Sequence, residues 1–422
     1  MGPAGHETGA VERGADAGPD GGIRQGRAGP GAGMSAGSAA GSDGPGIMLV
    51  AGEASGDLHG ATLCGALTEL APGWRLFGMG GAQMAAAGMD VLVDLTAHAV
   101  VGGSEAVGRL PMLYRAYRRL VRRLETTPRP RALVLIDFPE FNFWLARAAR
   151  RAGVPVVYFI PPQIWAWRAG RVRTIARLVT RVLAVFPFEV PLYRAAGVPV
   201  DFVGHPLVDS LRGAPSRAAA RGRLRLDADA VVLGLLPGSR AEEVERLLPA
   251  LRDAALELTR ARPGVRCLVG LAPTVDRARV AGLLRGAPGI EIVEHDARAV
   301  MAAADLLLAA SGTVTLEAAL LGTPMIICYR LSQLSFRLSL LLIRVSWIGL
   351  PNIALARTVA PELYQDTVTG PRLAREAARL LSDPSALAAQ RAAFAELQGR
   401  FGPPGVGLRA ARSVLQAAGA GP

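Results

Sequence analysis

The stretch IMLVAGEASGDLHG (residues 47–60) decides the fold. Its apolar run ends at Gly52, passes through small residues, and continues into a helical pattern expected over 57–70. A buried parallel strand reads as an uninterrupted apolar run, because both of its faces are covered. A loop of small residues at the carboxyl end of such a strand is where open α/β sheets collect their ligands. The rhythm recurs in RALVLID (131–137), followed by an expected helix over 141–152. VPVVYFI (154–160), RVLAVF (181–186) and VDFVG (200–204) follow it. It pauses in a polar, arginine-rich stretch near 205–225. It restarts with VVLGLLPGSR (231–240), VRCLVGLA (265–272), IEIVE (290–294), DLLLAASG (305–312) and PMIICYR (324–330).

Strands alternating with helices predict an α/β protein with two Rossmann-like, doubly wound domains facing a cleft. The expected boundaries are 46–210 for the first and 211–370 for the second. Ala- and Leu-rich helices over 371–422 are expected to pack back across the junction. Residues 1–45 are rich in Gly, Ala, Ser and Asp with almost no large apolar side chains. Such a segment cannot bury enough surface to offset its ordering entropy. It is read as disordered, or as an over-long gene start.

Composition excludes several classes. Half of the 422 residues are hydrophobic and 19% are charged, so large cores are available. The net charge of +12 rests entirely on arginine, because the 47 basic residues include no lysine. A GC-rich codon bias is the simpler reading of that, with phosphorylated lipid or an acidic membrane face as the alternative. No nucleic-acid-binding motif accompanies the charge. Cys64, Cys267 and Cys328 have neither disulfide-framework nor zinc-site spacing. No apolar run reaches the roughly 18–20 residues of a spanning helix, so a soluble or peripheral protein is expected.

Candidate chemistry lies in the loops after strands. Glu53, Ser55, Gly56 and Asp57 form the first; Ser55 or Asp57 is also a natural helix cap. The loop is not a dinucleotide fingerprint, and no P-loop occurs. Asp137 closes an apolar strand and is placed to take a proton from an acceptor hydroxyl, with a helix cap as the bland alternative. Trp165, Trp167 and Arg168 follow a double proline and suit a rigid wall against a sugar or acyl chain near a phosphate. In the second half, Gly238, Ser239 and Arg240 open a helix, where amides and a guanidinium suit a pyrophosphate. Glu242 and Glu243 are read as ordinary first-turn acids. Ser311, Gly312 and Thr313 repeat the design, with Glu317 one turn on, able to accept from a ribose diol or else simply on a solvated helix face.

GEASGD (52–57), IDFPEFN (136–142), PPQIWAWR (161–168), FPFE (186–189), GHPLVD (204–209), LLPGSRAEEVE (235–245), ASGTVTLEA (310–318) and YR (329–330) with LPN (350–352) occur in one order. Together they resemble the lipid-A-disaccharide synthase family, inverting glycosyltransferases of the GT-B architecture. The likeness runs from about Ile47 into the C-terminal helices. It implies transfer from UDP-2,3-diacylglucosamine to 2,3-diacylglucosamine 1-phosphate (lipid X), giving a β-1,6 disaccharide and UDP. It also implies Asp137 as base, Glu53 as the acidic residue of the first loop, and Arg240 at the donor phosphates. Glu317, Asn352, Arg357 and Gln365 fall on the nucleotide side; Ser55, Gly56, Asp57, His205 and the Trp165–Arg168 segment fall on the acceptor side.

No cofactor or metal is expected, because no DxD-like acidic pair follows a strand. The cytoplasmic face of the inner membrane is the expected location, and an oligomer is left open. Two stretches, 104–124 and 330–350, carry apolar and arginine residues suited to a membrane surface, with an ordinary amphipathic helix and snorkelling arginines as the alternative for each. Ala356 stands where the family often has glycine, PPQ where SPS is usual before WAWR, and Ala82 where proline is usual. The rivals are a GT-B transferase with another lipid acceptor, a UDP-GlcNAc 2-epimerase, and a non-catalytic nucleotide-sugar-binding protein.

Overall fold

The computed structural model describes residues 44–96, 110–162, 170–331 and 346–420. Two parallel sheets organise them. The first contains β1 (Gly46–Ala51), β2 (Arg75–Met79), β3 (Asp90–Val93), β4 (Ala132–Ile136), β5 (Val156–Phe159), β6 (Arg181–Ala184) and β7 (Val200–Phe202). Their spatial order is β3-β2-β1-β4-β5-β6-β7. The second contains β8 (Val232–Leu236), β9 (Arg266–Gly270), β10 (Ile290–Val293), β11 (Leu306–Ala310), β12 (Met325–Tyr329) and β13 (Glu362–Tyr364), in the order β10-β9-β8-β11-β12-β13. Their central strands are buried along their whole length, which is why they read as apolar runs.

Each sheet reverses its strand order once, between β1 and β4 in the first and between β8 and β11 in the second. Loops at such a switch point diverge and leave a crevice at the carboxyl ends of the strands. The four loops concerned carry Glu53–Asp57, Asp137, Gly238–Arg240 and Ser311–Thr313. Topology therefore gathers the four motifs without any help from their own chemistry.

In the first half, the connecting helices are α1 (Ala54–Leu70), α2 (Ala82–Ala86), α3 (Leu110–Glu125), α4 (Pro139–Arg151), α5 (Arg171–Leu178) and α6 (Glu189–Ala195). Two short helices, α7 (Leu207–Ser210) and α8 (Arg217–Arg223), lead into the second half. There α9 (Ala241–Ala261), α10 (Arg277–Leu283), α11 (Ala297–Ala303), α12 (Thr313–Leu320) and α13 (Leu350–Leu355) surround the sheet.

The chain ends in α14 (Gly370–Leu381), α15 (Pro384–Arg400) and α16 (Val406–Ala417). α14 lies on α9, where a Cβ on Gly370 would come within 2.6 Å of the Asp253 Cβ. α16 returns to the first half. Gly407 lets it approach α1 so closely that a Cβ would stand 3.0 Å from Thr62. Arg409 Nε donates to the Val203 carbonyl at 2.9 Å, and the Gly405 amide donates to the Asp209 carboxylate at 2.6 Å. One buried cluster runs from Ile47 and Leu49 through Leu236 and Leu307 to Phe394, Phe401 and Val414. Each phenylalanine fully buried there contributes about 1.5–3 kcal/mol, so the C-terminal helices bind the two halves together.

Candidate active site

The first half presents its carboxylates on a strained turn. Asp137 and Phe138, directly after β4, have φ of 48° and 49°. L-residues in this left-handed region cost on the order of 1–2 kcal/mol each, so other contacts must hold the turn. The Asp137 carbonyl accepts from the Asn142 side-chain amide and, at 3.1 Å, from the Tyr158 hydroxyl. Asn142 and Tyr158 are themselves fully buried. The Phe138 ring lies on Gly52, where a Cβ would come within 2.3 Å of it. That contact presses the loop after β4 against the loop after β1 and brings Asp137 toward Glu53.

Both carboxylates lie within electrostatic reach of each other and of Arg240 from the second half. Burial raises the Glu53 pKa above the ordinary value, neighbouring Asp137 raises it further, and Arg240 partly offsets this. Burial likewise raises Asp137, opposed by a hydrogen bond from the Phe138 amide and by Arg240. A buried carboxylate with a raised pKa is a stronger base than one in water.

Two neighbouring cavities, sharing Ser55 and Thr313 in their walls, open beside this group. The smaller, about 300 Å³, is lined by Ser55, His59, Asp137, Arg171 and His205 together with Pro161, Phe186 and Leu350. Burial lowers the pKa of His59 to about 4. Burial, and then His59, lower that of His205 to about 3. Both imidazoles are neutral near neutral pH. The Leu207 amide donates to His205 Nδ1 at 3.2 Å, which leaves the His205 proton on Nε2. Arg171 is paired with Glu140.

The larger cavity, about 690 Å³, lies over the second sheet. Gly238, Ser239, Arg240, Ser311, Gly312 and Glu317 line it; Ser55 and Thr313 line both cavities. Gly238 has φ 121° and no room for a Cβ, which would fall 2.7 Å from the Glu243 carboxylate. Arg240 stands at the N-cap position of α9 without a side-chain capping bond; its side chain is 59% exposed and pairs with Glu243 at 2.9 Å. Glu317 accepts from Arg298 Nε at 2.7 Å. Among the described residues, no cluster of His, Cys, Asp and Glu has the makings of a metal site.

Several sequence candidates have other tasks here. Asp57 is buried, and its carboxylate accepts from the amides of Gly81, Gln83 and Met84 at 2.7–3.1 Å. It caps α2 and not its own helix. Gly56 is a packing position, with a Cβ meeting Ala51 at 3.3 Å. Asn352 is fully buried; its oxygen accepts from the Val359 and Ala360 amides, and its nitrogen donates to the Ala360 carbonyl and to Glu362. Gln365 exchanges hydrogen bonds with the backbone of Leu331. Arg357 pairs with Glu396 on α15. None of these side chains lines either cavity. Trp165, Trp167 and Arg168 lie outside the described residues, as does most of the 330–350 stretch.

His59, Arg171, His295 and Arg298 also line the cavities, although none has a role in the sequence motifs. His59 had a signal: it lies four residues after Ser55 on a helix, so both share one face. Arg298 had none, because its partner Glu317 comes from a separate helix.

A model of the lipid-A-disaccharide synthetase family matches residues 47–398. The chain is 45% identical over 367 residues to the lipid-A-disaccharide synthase of Geobacter metallireducens, covering 86% of this chain and 95% of that one. It is 44% identical to that of Geobacter sulfurreducens over the same length and shares. A solved structure, the putative UDP-N-acetylglucosamine 2-epimerase from Listeria monocytogenes, aligns with a TM-score of 0.61 at 14% identity, covering 88% of this chain and 96% of that one. At that identity the likeness concerns the fold alone, and it agrees with the GT-B architecture.

Proposed function

Because the chain belongs to the lipid-A-disaccharide synthetase family, we propose that it transfers the sugar of UDP-2,3-diacylglucosamine to 2,3-diacylglucosamine 1-phosphate. The products are a β-1,6-linked disaccharide 1-phosphate and UDP. The observation that carries this reading is the opposition of charges across the crevice. Asp137 and Glu53 stand at the switch point of one sheet, and Arg240 stands at that of the other, within their electrostatic reach.

In an inverting displacement the acceptor hydroxyl attacks the anomeric carbon opposite the nucleotide. Asp137 takes the hydroxyl proton as the new C–O bond forms. The bond to the β-phosphate breaks, and its electron pair leaves with UDP. Arg240 and the first amides of α9 and α12 meet the growing phosphate charge. Glu53 lies beside Asp137, its own pKa raised by burial and by the charge of Asp137. The neutral His205, with its proton on Nε2, lines the cavity on the acceptor side. Arginine and helix amides take the place of a divalent ion in this scheme.

The substrates carry acyl chains, so a membrane-facing surface is part of the proposal. Leu110 and Tyr114 on α3 are 53% and 57% exposed, with Arg115, Arg118 and Arg119 beside them. Among the described residues no helix is long and apolar enough to cross a membrane. We place the enzyme peripherally on the cytoplasmic face of the inner membrane, seated through this end of α3.

The test is UDP release from the donor, with and without acceptor, in detergent micelles containing EDTA. Release that requires acceptor and yields a disaccharide supports the reaction and its independence of metal. Folded protein that binds UDP but never forms a disaccharide would instead favour a non-catalytic binding role.

A further inference from the structure

Glu243 occupies a place the proposed reaction has other uses for. It sits in the first turn of α9, and one carboxylate oxygen accepts from the Ser239 amide at 3.2 Å. The other accepts from Arg240 Nη1 at 2.9 Å. Its side chain covers Gly238, the residue whose missing Cβ leaves that space open. Tyr329, at the end of β12, feels both charges: Glu243 raises its pKa and Arg240 lowers it, after the larger effect of burial. The pair therefore lies over the strand ends, on the wall of the larger cavity. A first-turn glutamate reaching back to an amide is an ordinary capping device. What a cap does not require is a hold on the guanidinium as well.

We infer that Glu243 is an internal counter-anion, seated on the amide and arginine that take the diphosphate, which the incoming nucleotide displaces and which recovers the seat as UDP leaves. The inference rests on the reading of the Gly238–Arg240 loop as the diphosphate site. When a binding seat is free only part of the time, the apparent dissociation constant rises by the reciprocal of that fraction. The ion pair is half-exposed and screened by solvent, so its hold is modest. Removing the charge should tighten UDP binding by about three- to tenfold. It should also slow UDP release by a similar factor, because affinity changes within one site fall mostly on the off-rate.

The experiment measures UDP and uridine binding to the full chain by calorimetry, and UDP release by stopped-flow. It compares wild type, Glu243→Gln, Arg240→Ala and the double variant. Glutamine keeps an acceptor for the Ser239 amide and loses only the charge. The expected result is tighter UDP binding and slower release in Glu243→Gln, unchanged uridine binding, and no gain from Glu243→Gln once Arg240 is gone. Unchanged or weaker UDP binding in Glu243→Gln, with Arg240→Ala still impaired, overturns the counter-anion and leaves a plain cap. An equal gain for uridine overturns it too, since that would come from the loop as a whole. UDP binding that ignores Arg240→Ala overturns the underlying assignment of the diphosphate site, a distinct outcome.

Discussion

The two switch points do the same topological job with opposite physical means. On the first sheet, Asp137 is held by backbone: two consecutive left-handed residues, clamped by Asn142 and Tyr158 and wedged by Phe138 on Gly52. On the second, Arg240 is held by a side chain, Glu243, and is more than half exposed. A base must meet a hydroxyl within a few tenths of an ångström, and misplacement there is costly. A phosphate-binding arginine can instead move with its ligand. On the proposed reading, the first side is built before substrate arrives and the second completes itself around the nucleotide.

The surfaces differ in the same direction. Of the large hydrophobic residues that are exposed among the described ones, all but Tyr364 belong to the first half. The half with the proposed base is thus also the half with more exposed apolar side chains, in keeping with the proposal that the acceptor arrives from a bilayer.

The largest effect that separates the two sides comes from Asp137→Asn. It should lower kcat by about 10²- to 10⁴-fold, the usual contribution of a positioned general base, while UDP affinity stays within about twofold. Steady-state rates with calorimetry on the same preparation check both halves of the statement. A loss of UDP binding equal to the loss of rate would erase the division of labour. Arg240→Ala should fall next, costing roughly 2–4 kcal/mol of transition-state stabilisation, and it should weaken UDP binding as well as rate. A decrease under about threefold would remove the arginine from the leaving-group site.

Much of this arrangement is legible in the sequence, and the reasons for the rest are physical. The strands β1, β4, β8, β11 and β12 are fully or nearly fully buried, so composition alone marks them. β2 is broken by Gly78, β3 is a half-exposed edge strand, and β13 has three residues; none carries a strong apolar run. Asp137 is legible because a carboxylate ending a buried strand has few structural reasons to be there. Asn352, Gln365 and Asp57 lie in equally recognisable motifs, yet they face the protein. Their partners are backbone groups of Ala360, Leu331 and Gly81, contacts that no local pattern encodes. Ala356 is a related case. It adopts φ 53°, which explains why glycine suits that position and why alanine there carries strain.

The asymmetry of the surfaces gives the third test. Leu110→Glu combined with Tyr114→Glu should reduce sedimentation with anionic liposomes at least about tenfold, because each apolar side chain contributes about 1.5–3 kcal/mol on burial. Rates on substrate dispersed in detergent should change little. Unchanged sedimentation would move the membrane surface away from α3 and break the link between base and bilayer.

The smallest effect is on stability, and its sign is the informative part. Burial raises the pKa of Asp137, so the folded protein binds that proton more tightly than the unfolded chain does. Between the ordinary carboxylate value, near about 4, and the raised one, stability therefore falls as pH rises. Asp137→Asn removes this penalty. It should melt higher than wild type at neutral pH, with the difference shrinking as pH falls and vanishing once the wild-type carboxyl is protonated in both states. The gain should be a few degrees, since 1 kcal/mol is about 2–4 °C in domains of 150–250 residues. Glu53→Gln should shift in the same direction, because burial and Asp137 both raise its pKa. Thermal melts across a pH series measure this directly. If Asp137→Asn melts lower at neutral pH, the hydrogen bond from the Phe138 amide and the attraction to Arg240 together outweigh burial.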